Sequence, residues 1–162
     1  MTTDPNLVNL IAKLGRQLGF DVGLEVEASE SAYVDVVWFD KSFSFESLGV
    51  KTPKIRRHPV LPVIGFEVER KTGLDAKHVK GSVSNLDILG ASMGVLVIGT
   101  GNLLNLGKKS AHANKTTTQL EKTLLDRVYR WVYAESQPRS RITIMWEREV
   151  REWAKRTGVT IG

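Results

Sequence analysis

A chain of 162 residues with 41% hydrophobic and 25% charged side chains fits one soluble globular domain with a sizeable core. It has no cysteine, which excludes disulfides and thiolate metal sites, and no apolar run near the roughly 20 residues of a membrane span. The net charge of +5 favours a polyanionic partner such as nucleic acid, although a basic surface with no such partner would have the same composition.

The N-terminal "MTTDPNLVNL" lacks a basic flank before an apolar segment, so the expected location is cytoplasmic. Leu7, Leu10, Ile11, Leu14 and Leu18 recur at helical spacing over residues 6–18, with Asp4-Pro5 as the start and Gly19 as the stop. "DVGLEVEA" (21–28) alternates apolar and polar positions, and "AYVDVVWF" (32–39) is β-branched and aromatic; both predict strands. Residues 40–61 form a long excursion carrying Lys51, Lys54, Arg56 and Arg57.

"PVIGFEVERKTG" (62–73) supplies a third strand. Asp75 then caps a helix to about Met93 whose inner stripe is Val79, Val83, Leu86 and Leu89 or Gly90. "GVLVIGT" (94–100) is the continuous apolar run of a strand buried on both faces, and 101–117 is expected to be a polar, mobile connection. Thr118 to Glu121 match a capping box for a helix on Leu120, Leu124, Val128 and Trp131; "RITIMW" (141–146) and "EREVREWAKRTG" end the chain as strand and helix.

The order is helix, three strands, helix, strand, helix, strand, helix. It predicts one α/β domain over 1–162, with an antiparallel three-strand meander, a parallel crossover strand, and helices on both faces. Its core spans 6–100, and the C-terminal helices and strand span 118–158.

The third strand poses a chemical question. Glu67, Glu69 and Lys71 stand at every second position, so in an extended chain they share one face. Asp35 lies among Val34, Val36, Val37 and Trp38, where burying a carboxylate is costly unless a cation or hydrogen bonds compensate. A strand-end Asp satisfied by backbone amides or an Arg is the plain reading. Acids leaving apolar runs on two neighbouring strands instead point to a shared cation. Hard oxygen ligands suit Mg²⁺, which binds through one or two carboxylates and keeps several waters.

An acid in "VDVVW", "FEVERK" about thirty residues later, an amphipathic helix and then a buried "GVLVIG" strand together resemble the PD-(D/E)XK nuclease superfamily. That superfamily includes restriction endonucleases and archaeal Holliday-junction resolvases, and the resemblance covers residues 6 to about 100. It implies a restriction-endonuclease-like fold and Mg²⁺-dependent hydrolysis of DNA, with Mn²⁺ as a substitute. Asp35 and Glu67 match the metal-binding acids.

The departure is at the third motif position, where Glu69 stands in place of the usual Lys; some restriction endonucleases also have Glu there. In a shifted register Glu69-Arg70-Lys71 restores the acid-x-Lys spacing, and Lys71 becomes the cation that stabilises developing charge. The favoured set is Asp35, Glu67 and Glu69, with Lys71 nearby. Some family members also use a glutamate from the first helix; this one has none, so Glu25 or Glu27 would serve.

For DNA contact the candidates are Lys54, Arg56 and Arg57 in the excursion, and Lys77 and Lys80 on the helix after the third strand, facing away from its apolar stripe. Asn85 on that helix is placed to approach the acids. His58, His78 and His112 show no ligand spacing, and Trp131, Trp146 and Trp153 fall on apolar stripes as core or interface. Symmetric cutting of duplexes or junctions favours a homodimer. Competing readings are a catalytically inactive nucleic-acid-binding module and a structural subunit with the same fold.

Overall fold

Asp4 opens the first helix, α1 (Pro5–Gln17): its carboxylate accepts the Asn6 amide at 3.0 Å, and Pro5 occupies a position that needs no donor. Leu7, Leu10, Ile11 and Leu14 are buried, while Leu18, one residue past the helix, is 43% exposed. The computed structural model describes residues 4–44, 60–69 and 71–160.

Five strands form one sheet in chain order: β1 (Asp21–Ser29), β2 (Ala32–Ser44), β3 (Val60–Val68), β4 (Met93–Ile98) and β5 (Ile142–Trp146). The first three pair antiparallel, and β3–β4 and β4–β5 pair parallel. The parallel crossover from β3 to β4 runs through α2 (Ala76–Leu89), which Asp75 caps by accepting the His78 amide at 2.9 Å. On β4, Val95 to Ile98 are all buried, as expected of a strand covered on both faces.

Two apolar layers cover the sheet. On one face α1 and α5 (Glu147–Arg156) bring Leu7, Ile11, Leu14, Val150 and Ala154 against Trp38, Phe66 and Val97. On the other, Val79, Val83 and Leu86 of α2 join Leu103 and Leu106 of α3 (Thr100–Gly107), and Leu124 and Val128 of α4 (Thr117–Tyr129), over Val37, Leu96 and Ile98. The fold is therefore α/β, with a mixed open sheet and helices on both faces. Among the described residues no helix is long and apolar enough to cross a membrane.

The structure differs from expectation in the C-terminal half. Residues 101–117 are not an unstructured connection: Leu103 and Leu106 are buried, so "TGNLLNLG" forms α3, and a short 3₁₀ turn follows at Ser110–His112. The capping box of α4 lies two residues earlier than predicted. Thr116 Oγ1 accepts the Gln119 amide (3.3 Å) and Gln119 Oε1 accepts the Thr116 amide (2.8 Å). A run of three threonines allows several starts, and Gln119 selects the one it can bond reciprocally. α4 then continues as a π-helical segment, Arg130–Ser136, where the Tyr133 hydroxyl donates to the Ile142 carbonyl.

Trp38 is the centre of the α1 face: it is fully buried, lies 4.6 Å from the Phe66 ring and 5.5 Å from Trp153, and donates from Nε1 to the Ile11 carbonyl at 3.2 Å. Gly15 permits that approach, because a Cβ there would lie 2.4 Å from Trp38 Nε1. Gly15→Ala is expected to destabilise the protein by roughly 1–3 kcal/mol through overpacking. Urea unfolding checks this, and an unchanged midpoint would show that Trp38 is free to shift.

Candidate active site

The register Val36↔Phe66 and Val37↔Gly65 places Asp35 of β2 directly across from Glu67 of β3. Side chains opposite each other in an antiparallel pair stand on one face. Here the two carboxyls are hydrogen-bonded to each other, with the Glu67 carboxyl as donor. Asp35 Oδ2 also accepts the Val68 amide at 2.7 Å, so the backbone-satisfied aspartate of the plain reading is present beside the acid pair. Asn85 reaches down from α2: its Nδ2 donates to Glu67 Oε1 at 2.9 Å and to the Tyr33 carbonyl at 3.1 Å.

Glu69 follows on the same face. It lies one residue past the end of β3, yet its amide continues the parallel ladder by donating to the Val97 carbonyl at 2.9 Å. Its side chain is 4% exposed and is hydrogen-bonded to Ser82, while its Oε1 is buried with no hydrogen-bond partner. An orphaned carboxylate oxygen of this kind calls for a cation or a proton.

The electrostatics follow from burial. Glu67 is 6% exposed; desolvation, then the neighbouring Asp35, push its pKa up to about 9, so at pH 7 it keeps its proton. Desolvation also raises Asp35, with Glu25 adding to the effect and the Val68 and Glu67 hydrogen bonds opposing it. Glu69 is raised by burial and by Asp35, against the Ser82 hydrogen bond and the nearby His78.

Glu25 occupies an unusual rung. The flanking pairs Leu24↔Val36 and Val26↔Val34 place it opposite Asp35, and its φ is 47°. Left-handed backbone at a non-glycine residue costs on the order of 1–3 kcal/mol and concentrates at functional sites. The regular alternation breaks at this rung. Val34 and Val26 join the α2-side core, whereas Val36 joins the α1-side core, although each neighbouring pair is two residues apart on its strand. Glu27 pairs opposite Tyr33, farther along β1.

Lys71 does not join the acids' hydrogen bonds. β3 ends at Val68, so the alternation that would have aligned Lys71 with Glu67 and Glu69 does not extend that far. Its side chain is 60% exposed, and the amine lies 3.7 Å from Asp4 at the start of α1. Lys77 is exposed on α2, and Lys80, half-exposed, is paired with Glu135 at 2.7 Å. Lys54, Arg56 and Arg57 lie outside the described residues.

The α2 contribution was only partly anticipated. Asn85 was expected to approach the site; Ser82 and His78 were not. The signal was available: His78, Ser82 and Asn85 recur at i, i+4 and i+7, a polar stripe beside Val79, Val83 and Leu86. No family model, curated protein or solved structure matches the chain.

Among the described residues no group of three or more His, Asp or Glu side chains stands in ligating geometry. The donor set nonetheless fits a hard divalent cation. Mg²⁺ needs only one or two protein carboxylates, the Asp35–Glu67 pair holds a proton that a cation can displace, and Glu69 Oε1 is desolvated without a partner.

Proposed function

We propose that the chain is a divalent-metal-dependent DNA endonuclease with a restriction-endonuclease-like fold, acting in the cytoplasm as a homodimer. The observation that carries this reading is the desolvated Asp35–Glu67 carboxyl pair with the unpartnered Glu69 Oε1 beside it. Asp35 and Glu67 would hold Mg²⁺ or Mn²⁺, with Asn85 orienting Glu67. When bound, such a cation supplies Lewis-acid polarisation of the phosphoryl oxygen. Glu69, whose pKa burial raises, is suited to accept the proton of the attacking water. Ser82 fixes its carboxylate, and α2 excludes bulk solvent from the acids.

The test is cleavage of supercoiled plasmid and of branched DNA with Mg²⁺ or Mn²⁺. Loss of supercoiled substrate that EDTA abolishes is expected. A wild type that cuts no DNA form with either metal would sink the enzyme reading. The second reading, a catalytically inactive nucleic-acid-binding module, draws on Lys71: its amine lies by Asp4 rather than on the acids, so the family's usual cation is not at the site.

Both readings predict salt-sensitive DNA affinity, because Lys and Arg contacts release counterions from the phosphates. A plot of log affinity against log salt is expected to be linear and steep, and a flat response would count against nucleic acid as partner. Metal binding should be pH-sensitive as well. A cation at the pair displaces the Glu67 proton, so apparent affinity rises with pH up to about 9, by as much as tenfold per unit. Calorimetric titration with Mn²⁺ at several pH values reads this directly.

A further inference from the structure

A cavity of about 120 Å³ opens between α3, α4 and the loop that leaves β3. Its walls include Gly73, Leu74, Asn102, Lys109, Arg127 and Trp131. Its position relative to the acids is fixed by two close contacts. Asn102 Oδ1 accepts the Leu74 amide at 3.1 Å, and Gly101 packs so tightly on the loop that a Cβ there would lie 2.2 Å from the Lys71 carbonyl oxygen. The first turn of α3 is thus clamped to the segment that continues from Glu67 and Glu69. Cavity and acids both lie beyond or near the carboxyl end of β3, the end of the parallel strands where open α/β sheets bind ligands.

The cavity rim is cationic without compensation. Several basic side chains elsewhere on the described surface are ion-paired: Lys80 with Glu135, Arg148 with Glu121 and Arg151 with Glu147. Among the described residues neither Lys109 nor Arg127 makes an ion pair, and Lys115 reaches only the Thr123 hydroxyl at 3.3 Å. These charges lie close together. The His112 imidazole is held below its usual range by desolvation and then by Lys115, Arg127 and Lys109, and its buried Nδ1 has no hydrogen-bond partner.

Size selects among anionic ligands. Pockets for cofactors and drug-sized molecules run to roughly 300–1,000 Å³; this one accommodates a phosphate-sized group, and its rim is open. An exposed lysine and a half-buried arginine around a shallow, phosphate-sized hollow suit a repeating backbone read without regard to sequence.

We propose that this cavity and its Lys109–Arg127 rim seat the phosphodiester backbone of a DNA strand beside the scissile position. The inference rests on the endonuclease reading and deepens it, moving the main backbone contact from Lys77 and Lys80 to the α3–α4 surface.

The experiment measures binding of a fluorescein-labelled duplex to the full chain in the cleavage-disabled Asp35→Ala background, across a salt series. Lys109→Gln/Arg127→Gln is expected to weaken binding about tenfold or more and to lower the salt slope by about two, one for each lost phosphate contact. Lys155→Gln/Arg156→Gln, exposed on the opposite helical layer, is the charge-matched control and is expected to lower the slope by much less. Circular dichroism melts verify that the substitutions leave the fold intact. Equal affinity and slope in the double variant and its parent would overturn the proposal, as would parent protein that binds no DNA. Parallel cleavage assays on the wild type keep the two ideas apart. Cleavage with an unaffected double variant removes the backbone seat and leaves the nuclease; binding lost in the double variant without wild-type cleavage keeps the seat and removes the catalysis.

Discussion

Asp35→Ala and Glu69→Ala are each expected to reduce Mg²⁺-dependent cleavage to background, whereas Lys71→Ala is expected to leave measurable activity. The two registers of the "EVERK" run assign the chemistry to differently placed residues. Glu69 is buried, bonded to Ser82 and within the electrostatic reach of Asp35, while the Lys71 amine lies exposed beside Asp4. Removing one electrostatic stabiliser costs on the order of 10²- to 10³-fold in rate, so loss of a ligand or base is readily told from loss of a remote cation. Under the shifted register the ranking reverses: Lys71→Ala is severe and Glu67 dispensable. Initial rates on supercoiled plasmid decide between them. Binding provides the control, since removing carboxylates lessens repulsion toward phosphate and should leave DNA affinity intact. A variant that loses binding and folding together would assign its residue a structural role.

Much of this arrangement was legible in the sequence, for physical reasons that also explain the rest. Period-two alternation and β-branched residues located the strands, and Val79, Val83 and Leu86 located the covered stripe of α2. The three strands flanking a helix predicted both the meander and the parallel crossover. Lys71 was misplaced because periodicity carries no information about where a strand stops, and β3 releases the chain after Val68. α3 escaped because eight residues with glycine near both ends give too few turns for a periodic signal. The broken alternation at Glu25 was invisible for a different reason. Its φ of 47° is a choice imposed by tertiary packing on a residue with no preference for it. The acid cluster was legible as residue types, but its desolvation was not. Only the packing of α2, with Ser82 and Asn85 bonded to Glu69 and Glu67, shows how far these carboxyls are removed from water.

That desolvation makes Glu67→Gln informative about stability as well as activity. The wild-type Glu67 carboxyl holds its proton up to about pH 9 when folded, against an ordinary value of 4.5. Between those values the unfolded chain has released a proton that the folded chain retains. Stability should therefore fall as pH rises, by about 1.4 kcal/mol per unit for one proton. Asp35 and Glu69, also raised, contribute in the same direction. In Glu67→Gln the amide oxygen can still accept from Asn85, and the amide nitrogen can donate to Asp35 without any proton to lose. Urea unfolding in EDTA at pH 5, 7 and 9 should then show the wild type weakening with pH and the variant weakening by about one proton less. The variant should be the more stable of the two at pH 9 and should no longer cleave DNA. Mg²⁺ should flatten the wild-type profile, because a cation replaces the missing proton, and should leave the variant's nearly unchanged. Identical pH slopes in the two proteins would mean that Glu67 is ionised in the folded state, and the shared-proton pair would have to be abandoned. A carboxyl kept where glutamine is more stable is one retained for chemistry rather than for folding.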